Sequence, residues 1–341
     1  MRILFIKLRH IGDALLLTPT IVATKKKFPE AEIWVVVRKS CEEMLAGCPE
    51  VDRIVCTARP ERDHRKLSGA LDELALATLL ARTRFDYVFE LGDNDRGRWL
   101  ALLARTSQRC TNSHRSLRKI WRPAFHKIST KKRWPMHQVE RDFVCPADFL
   151  GLPEPPPPLR FAPERTERWP PADEFDSYAV LHAPTRWPSK AWPLDRWREL
   201  AGHLLAFTPR LVISCGPDPA EIRAARELCS GMGDQAVSTE GRTTWAQLAG
   251  ILSRAKYFVG VDTAAMHLAA AVNCPVVCLF GPSGDFEFHP WSVKYWMIRP
   301  HDWTDPETIK KTPSTDLMGL IPVSRVLEAC RAASLNREEL E

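Results

Sequence analysis

The sequence predicts an α/β protein of two domains, each built around a parallel β-sheet. At 341 residues, the chain suits two domains of about 150–170 residues each. Short apolar runs alternate with helical patterns in both halves, and this order implies parallel strands joined by right-handed crossovers. A stiff proline-rich run at 152–158 is the best place for a linker between the halves.

These observations give predicted domain limits. Residues 1–152 form an N-terminal domain, 153–176 a proline-rich linker, and 177–321 a C-terminal domain. Residues 322–341 contain a final helix, and packing of this helix back onto the N-terminal domain is left open.

The first half opens with a short strand and continues in strand–helix order. The predicted strands are Ile3–Leu8, Ile33–Val37, Arg53–Val55 and Tyr87–Leu91. The predicted helices are Ala14–Lys27 with an interruption at Thr18-Pro19, Glu42–Ala46, Leu67–Thr83 and Met136–Leu150. Residues 92–98 are predicted to form a polar loop at the carboxyl end of a strand.

The second half repeats the plan without an obvious sequence repeat. Its predicted strands are Tyr178–His182, Leu211–Ser214, a run around Val259 and Val261, and 275–280. Its predicted helices are Leu194–Phe207, Glu221–Leu228, Thr244–Ser253, Ala264–Val272 and Pro322–Ala333.

Composition and missing motifs exclude several classes of protein. The first ten residues are too short and too charged for a signal peptide, and no apolar run approaches the roughly 18–20 residues that span a bilayer. The ten cysteines include no CxxC pair, so neither a zinc ribbon nor a redox motif is indicated. We therefore expect a reducing, cytoplasmic compartment. Neither a Walker A motif nor GxGxxG is present, which disfavours P-loop NTPases and dehydrogenases.

Positive charge is concentrated in one block. Between Arg96 and Val139 there are twelve Lys and Arg and no Asp or Glu, so the rest of the chain has a net charge of +6 − 12 = −6. Such a block attracts polyanions, including an anionic lipid surface or a phosphorylated glycan. A solvated face without a partner is the alternative. No nucleic-acid motif is recognisable, so nucleic acid is not an expected partner.

The stretch 257–284 carries the clearest site signal in the chain. It is predicted to run strand, sharp turn, helix, strand and Gly-Pro turn. Asp262 and Thr263 stand at the carboxyl end of the first strand, where ligands bind in open α/β sheets. The free backbone N–H groups of the following helix would face a ligand phosphate. His267, one helical turn further on, would face the same place. Simple capping by Asp262-Thr263 and a structural His267 are the alternatives.

Two other strand ends carry charged side chains. Asp13 stands near the start of the first helix, in an exposed position for a carboxylate, although a helix-start Asp also caps. Arg186 and Lys190 lie in a loop stiffened by Pro and Trp beyond another strand, where a lysine would act as a point charge on a phosphate.

Four stretches together resemble the heptosyltransferase family of lipopolysaccharide-core assembly. They are KLRHIGDALLLTP from Lys7, WPSKAWP from Trp187, CGPDPAE from Cys215 and GVDTAAMHLAAAVNCPVVCLFGPSG from Gly260. They occur in the family's order over almost the whole chain. NDRGRW from Asn94 and HQVER from His137 resemble the branch that adds the third heptose.

The resemblance implies a GT-B glycosyltransferase, with two Rossmann-like domains facing each other across a cleft. The N-terminal domain would hold a lipopolysaccharide inner-core acceptor, and the C-terminal domain would hold ADP-heptose. Transfer would invert the anomeric centre and need no metal or other cofactor. The enzyme would work in the cytoplasm, peripheral to an anionic inner membrane.

The resemblance also assigns roles to residues. Asp13 would be the general base, and Lys190 would neutralise the leaving diphosphate. The donor-binding residues would be Thr185, Lys190, Asp218, Glu221, Asp262, Thr263, Ala264 and His267, with Asp218 or Glu221 on the ribose. The acceptor-binding residues would be Arg9, His10, Asp93, Arg96, Arg98, Arg118, Lys119 and Arg122. The alternatives are the same fold and reaction with another nucleotide-sugar, or a polyanion-binding protein without catalysis.

Overall fold

The computed structural model describes residues 1–57, 67–113, 117–130 and 135–338. It divides into two compact units, Met1–Ala162 and Pro163–Glu341. The division falls inside the stretch predicted as the linker. Lys131, Lys132 and Arg133 of the predicted basic block, and Arg115, lie outside the described residues.

The first unit contains a six-stranded parallel sheet in the order β3-β2-β1-β5-β7-β8. The strands are β1 Arg2–Lys7, β2 Glu32–Arg38, β3 Arg53–Thr57, β5 Tyr87–Glu90, β7 Arg109–Asn112 and β8 Lys127–Ser129. Two short strands, β4 Arg84–Phe85 and β6 Arg105–Thr106, pair separately. The central strands are buried along their length, as parallel strands covered on both faces require.

Helices cover both faces of this sheet. They are α1 Ile11–Leu16, α2 Thr18–Lys27, α3 Glu42–Ala46, α4 Leu67–Arg82, α5 Asp95–Leu103 and α6 Gln138–Leu150. Helices α1, α2, α3 and α6 pack among themselves, while α4 packs against α5. The apolar cluster under α4 and α5 includes Leu76, Leu80 and Leu100. The predicted interruption at Thr18-Pro19 is confirmed, because α1 ends at Leu16 and α2 begins at Thr18.

One predicted loop is wrong. Residues 95–98 form the first turn of α5, which continues to Leu103. The Asn94 side chain caps this helix by accepting the Gly97 N–H at 2.8 Å. The helix was missed because its first turn is polar and its inward apolar stripe is short.

The second unit has the same topology. Its six parallel strands follow the order β11-β10-β9-β12-β13-β14. They are β9 Ala179–His182, β10 Leu211–Ile213, β11 Ala236–Ser238, β12 Phe258–Val261, β13 Val276–Leu279 and β14 Tyr295–Ile298. In both units the strand order reverses beside the first strand, and such a switch point is where ligands bind in open α/β sheets.

The helices of the second unit pack against its sheet and against each other. They are α7 Pro170–Asp173, α8 Leu194–Leu204, α9 Pro219–Cys229, α10 Trp245–Arg254, α11 Ala264–Ala271, α12 Asp285–Phe288, α13 Pro306–Lys311 and α14 Val323–Glu338. The sequence left open where the final helix packs, and in the structure α14 contacts α8, β13 and β14 of its own unit. Among the described residues, no helix is both long enough and apolar enough to cross a bilayer.

Candidate functional site

Asp13 lies on α1, just beyond the carboxyl end of β1. Its side chain is buried, with 7% of its surface exposed. The predicted exposed position is therefore wrong, because contacts with the start of α1 cover the carboxylate. One carboxylate oxygen lies 3.1 Å from the Arg9 guanidinium Nε, and the other accepts the His10 backbone N–H at 3.1 Å. The capping geometry that the sequence allowed is therefore present. A cation and an N–H group together hold this carboxylate in one orientation at the strand end.

A buried ion pair lies next to this carboxylate. Lys7, the last residue of β1, places its Nζ 2.6 Å from both oxygens of Asp142 on α6 and also donates to the Leu91 carbonyl at 3.2 Å. Gln138 donates a further hydrogen bond of 2.8 Å to Asp142. Burial raises the pKa of Asp142 to about 6, although Lys7 opposes the shift; Asp13 adds to it. The two carboxylates therefore interact electrostatically at one end of the sheet.

The end of β5 carries a second buried cluster, centred on Glu90. Its carboxylate accepts the Gly92 N–H at 2.9 Å and lies 3.8 Å from the Arg98 guanidinium. Burial raises the pKa of Glu90 to about 8, and Asp93 adds to the shift. Gly97 leaves room for this carboxylate, because a Cβ at this position would lie 2.7 Å from a Glu90 oxygen and one of the two would have to shift.

Two of the residues predicted to bind the acceptor, Arg98 and Asp93, form ion pairs within the first unit. Only 1% of the Arg98 side chain is exposed, and its guanidinium also pairs with Asp95 at 2.9 Å. Direct contact between Arg98 and an acceptor is therefore wrong, since its role is to compensate the buried Glu90. Asp93 is largely covered and pairs with Arg141 of α6 at 2.7 Å. It ties the loop after β5 to α6.

The remaining predicted acceptor residues are more accessible. Arg96 is half-buried and pairs with Glu73 of α4 at 2.5 Å. Arg118 is exposed and pairs with Asp95. Lys119 and Arg122 are exposed on a 3₁₀ helix, Lys119–Ala124. Arg9 and His10 precede α1 beside Asp13. Their contact with an acceptor stays a prediction.

In the second unit, the turn between β12 and α11 leaves polar groups at a helix N-terminus. Thr263 is the N-cap residue of α11 in an extended conformation, and its side chain makes no capping hydrogen bond. The Thr263 hydroxyl has no hydrogen-bond partner among the described residues. Ala264 begins the helix, whose first N–H groups carry the positive end of the helix dipole. This arrangement suits a phosphate group.

Lys190 reaches the same turn. Its Nζ lies 2.5 Å from the Asp262 carboxylate, across 72 positions of sequence. The sequence predicted both residues at a phosphate site, and the structure brings them together as an ion pair. The Asp262 carboxylate holds Lys190 in place beside the turn, and the contact of this lysine with a diphosphate stays a prediction.

Side-chain packing and a hydrogen bond hold the loop that carries Lys190 in position. Trp192 is buried, packs edge-on against Trp197 with ring centroids 4.9 Å apart, and donates its indole N–H to the Ile321 carbonyl at 3.1 Å. Gly281 allows a close approach, because a Cβ there would lie 3.2 Å from the Ser189 carbonyl oxygen. Thr185 is half-buried and accepts the Trp187 N–H at 3.3 Å.

The other predicted donor residues occupy the neighbouring strand end and helix. Asp218 caps α9 by accepting the Ala220 N–H at 2.8 Å. Glu221 accepts the Gly216 N–H at 2.7 Å, so this carboxylate stabilises the loop after β10. His267 is buried on α11, and its predicted contact with a ligand stays a prediction.

Sequence reasoning missed several polar groups at strand ends. His182, the last residue of β9, lies 2.9 Å from the Ser214 hydroxyl. Burial lowers the pKa of His182 to about 4, so its ring is neutral at physiological pH. Lys7 and Glu90 were also missed. One signal could have found all three, since each is a polar residue that closes an apolar strand.

Two Rossmann-like units, each with a six-stranded parallel sheet, have the architecture of the GT-B class of glycosyltransferases. The comparisons with known proteins agree. Residues 74–317 match the model of glycosyltransferase family 9 (heptosyltransferase). The chain belongs to this family.

Its relatives cover nearly the whole chain. A lipopolysaccharide heptosyltransferase 3 of Escherichia coli is 24% identical over 94% of this chain and 96% of its own. The solved structure of the E. coli heptosyltransferase WaaC with ADP superimposes with a TM-score of 0.81 at 21% identity, covering 98% of this chain and all of its own. The same enzyme with ADP-2-deoxy-2-fluoro heptose gives a TM-score of 0.80 at 21% identity, covering 97% and 99%. The predicted family and the GT-B fold are confirmed. The predicted third-heptose branch stays a prediction, with which the heptosyltransferase 3 relatives are consistent.

Proposed function

We propose that this enzyme transfers heptose from ADP-heptose to the inner core of lipopolysaccharide, with inversion of the anomeric centre and without a metal. The observation that carries the donor half is the Lys190–Asp262 pair at the N-terminus of α11. A lysine beside free helix N–H groups suits a diphosphate. The relatives with ADP and an ADP-heptose analogue support the nucleotide and the sugar.

Asp13 is the general base in this proposal. Its carboxylate takes the proton from the acceptor hydroxyl while that oxygen attacks the anomeric carbon. The bond from the anomeric carbon to the diphosphate oxygen breaks, and ADP leaves with the electron pair. Lys190 and the α11 N–H groups stabilise the charge that develops on the diphosphate. Because attack comes from the face opposite the leaving group, the configuration inverts.

Asp262 and Thr263 are proposed to meet the sugar and phosphates, and Thr185 and His267 to complete the donor site. Asp218 or Glu221 is proposed to hold the ribose hydroxyls. On the acceptor side, Arg9, His10, Arg96, Arg118, Lys119 and Arg122 offer cations to the phosphate and carboxylate groups of the core. The enzyme acts on the cytoplasmic side of an anionic inner membrane, where such an acceptor is anchored.

The test is ADP release from ADP-heptose with truncated-core acceptors. Asp13→Asn keeps an oxygen that accepts the His10 N–H, so the cap survives while the base is lost. We expect turnover to fall roughly 10²–10⁴-fold, the usual contribution of a general base, with the dissociation constant for ADP unchanged. Near-normal turnover would remove Asp13 from the mechanism. A panel of ADP-, UDP- and GDP-sugars separates this donor from other nucleotide-sugars.

A further inference from the structure

Many of the exposed apolar side chains lie on two helices of the first unit and on the 3₁₀ helix that follows them. Twelve large hydrophobic residues are exposed in the described part of the chain, and six of them lie on α4, α5 and the following 3₁₀ helix. These six, here named the apolar face, are Leu71, Leu74, Trp99, Leu102, Leu103 and Ile120. Apolar side chains gathered in this way mark an interaction site more often than scattered ones do.

Helical spacing explains why these side chains share a side. Trp99, Leu102 and Leu103 are three and four positions apart on α5 and therefore project from one face of the helix. Leu71 and Leu74 stand in the same relation on α4. The opposite faces of both helices supply the buried cluster beneath, so the outward leucines are additional to the core.

Contacts between the three elements hold the apolar face together. The Glu73–Arg96 pair joins α4 to α5, and the Trp99 ring packs edge-on against Trp121 of the 3₁₀ helix with centroids 5.0 Å apart. The Arg109 guanidinium donates to the carbonyls of Ala101 at 2.6 Å and Ala124 at 2.9 Å. It thereby fastens the end of α5 to the end of the 3₁₀ helix.

The surroundings of the apolar face are basic. Arg82, Arg105, Arg118, Lys119 and Arg122 are exposed on or beside the same three elements. The carboxylates of Glu73 and Asp95 are engaged by arginines, while Asp72 is exposed. Aliphatic side chains ringed by cations match the interface of an anionic bilayer, where apolar groups enter the headgroup region and cations face lipid phosphates. Nucleic acid is a poorer match, because single strands stack on aromatic rings and duplexes are contacted by polar groups.

We propose that the apolar face docks the enzyme on an anionic lipid bilayer, with Leu71, Leu74, Leu102 and Leu103 entering the headgroup region. The inference deepens the proposed function and rests on it for the membrane-anchored acceptor. The docking itself needs no donor and no acceptor, and none of the four leucines belongs to the candidate active site. Arg118, Lys119 and Arg122 beside them are also proposed to meet the acceptor, so they are left unchanged in the test.

The test is flotation of the full chain with vesicles of phosphatidylethanolamine and phosphatidylglycerol that contain no acceptor. Leu74→Gln is compared with Leu335→Gln on α14, because the two leucines are 63% and 64% exposed and glutamine is a good helix former. We expect Leu74→Gln to weaken vesicle binding about threefold or more, from the apolar area kept in water, and Leu335→Gln to leave it unchanged. The fourfold variant Leu71→Gln, Leu74→Gln, Leu102→Gln, Leu103→Gln should lose more than about tenfold on the same reasoning.

Three results would overturn the inference. They are wild-type vesicle binding by the fourfold variant, equal loss in the two single variants, and equal binding to neutral phosphatidylcholine vesicles. Duplex RNA binding that persists without any vesicle binding would assign the surface to nucleic acid instead. Transfer to a lipid-free core oligosaccharide is measured in parallel and should be the same in all variants. If that transfer is absent while the vesicle results hold, the proposed function fails and the docking surface stands.

Discussion

The Lys190–Asp262 pair allows a quantitative test of the phosphate site. A charge-assisted hydrogen bond contributes about 1.5–3 kcal/mol, which corresponds to about 10–150-fold in a dissociation constant. Lys190 already has the Asp262 carboxylate as a partner 2.5 Å away. A diphosphate therefore replaces one anionic partner with another. We expect Lys190→Ala to weaken ADP binding about tenfold, at the lower end of this range.

Asp262→Asn should act in the opposite direction on ADP. It removes a negative charge from beside the diphosphate and releases Lys190, so we expect ADP to bind about fivefold more tightly, about 1 kcal/mol. Turnover with the nucleotide-sugar should still fall, because Asp262 is proposed to meet the sugar. In the double variant, the loss caused by Lys190→Ala should exceed its loss in the wild type, by about 1 kcal/mol of coupling between the neighbours.

Isothermal titration calorimetry with ADP measures all four proteins of this cycle. Lys310→Ala is the matched control, since this exposed lysine pairs with Glu307 on α13 at 3.5 Å and should leave ADP binding unchanged. Thermal melting shows whether each variant is folded. An unchanged dissociation constant for Lys190→Ala would refute the phosphate role. A loss of ADP affinity in Asp262→Asn equal to that in Lys190→Ala would refute the competition between the two anions.

Two further predictions concern buried charges in the first unit. Burial raises the pKa of Glu90 from about 4.5 to about 8, so its contribution to stability is full below about pH 4.5 and is lost as the pH rises through 8. Glu90→Gln should remove this decline, worth about 5 kcal/mol at about 1.4 kcal/mol per pKa unit. Chemical unfolding on both sides of the window measures it, and an unaltered pH dependence would contradict the shift. Lys7→Met should cost about 3–5 kcal/mol by leaving Asp142 buried without a cation. Lys25→Met is its control and should cost about 0–1 kcal/mol, because the side chains of its pair with Asp52 at 2.8 Å are 25% and 37% exposed. Equal losses in the two lysine variants would be the contrary result.

Sequence patterns predicted the fold well where the pattern was local. Strand–helix alternation predicted parallel sheets, and α3 has the predicted bounds of Glu42–Ala46. The short strands β7, β8, β11 and β14 were missed, because three or four residues are too few to show a clear period. Helix α5 was missed because its polar first turn resembles a loop.

In the candidate site too, local features could be predicted from the sequence and contacts between distant residues could not. Asp262, Thr263 and Ala264 could be placed from the sequence, because a strand end followed by a helix start is a local signal. The partner of Lys190 could not, since Asp262 lies 72 positions away. Lys7 and Asp142 are separated by 135 positions, and only the folded sheet brings β1 to α6. Whether an arginine in a basic block is exposed, like Arg118, or buried, like Arg98, also depends on tertiary packing.

The Ile321 carbonyl has a consequence for synthesis of the chain. It accepts hydrogen bonds from Trp192 at 3.1 Å and Arg196 at 2.6 Å, so the loop bearing Lys190 is completed by a residue made much later. While the ribosome still holds that late segment, the nascent second unit lacks the strut that sets this lysine. Nucleotide binding should therefore begin only after Ile321 has left the ribosome.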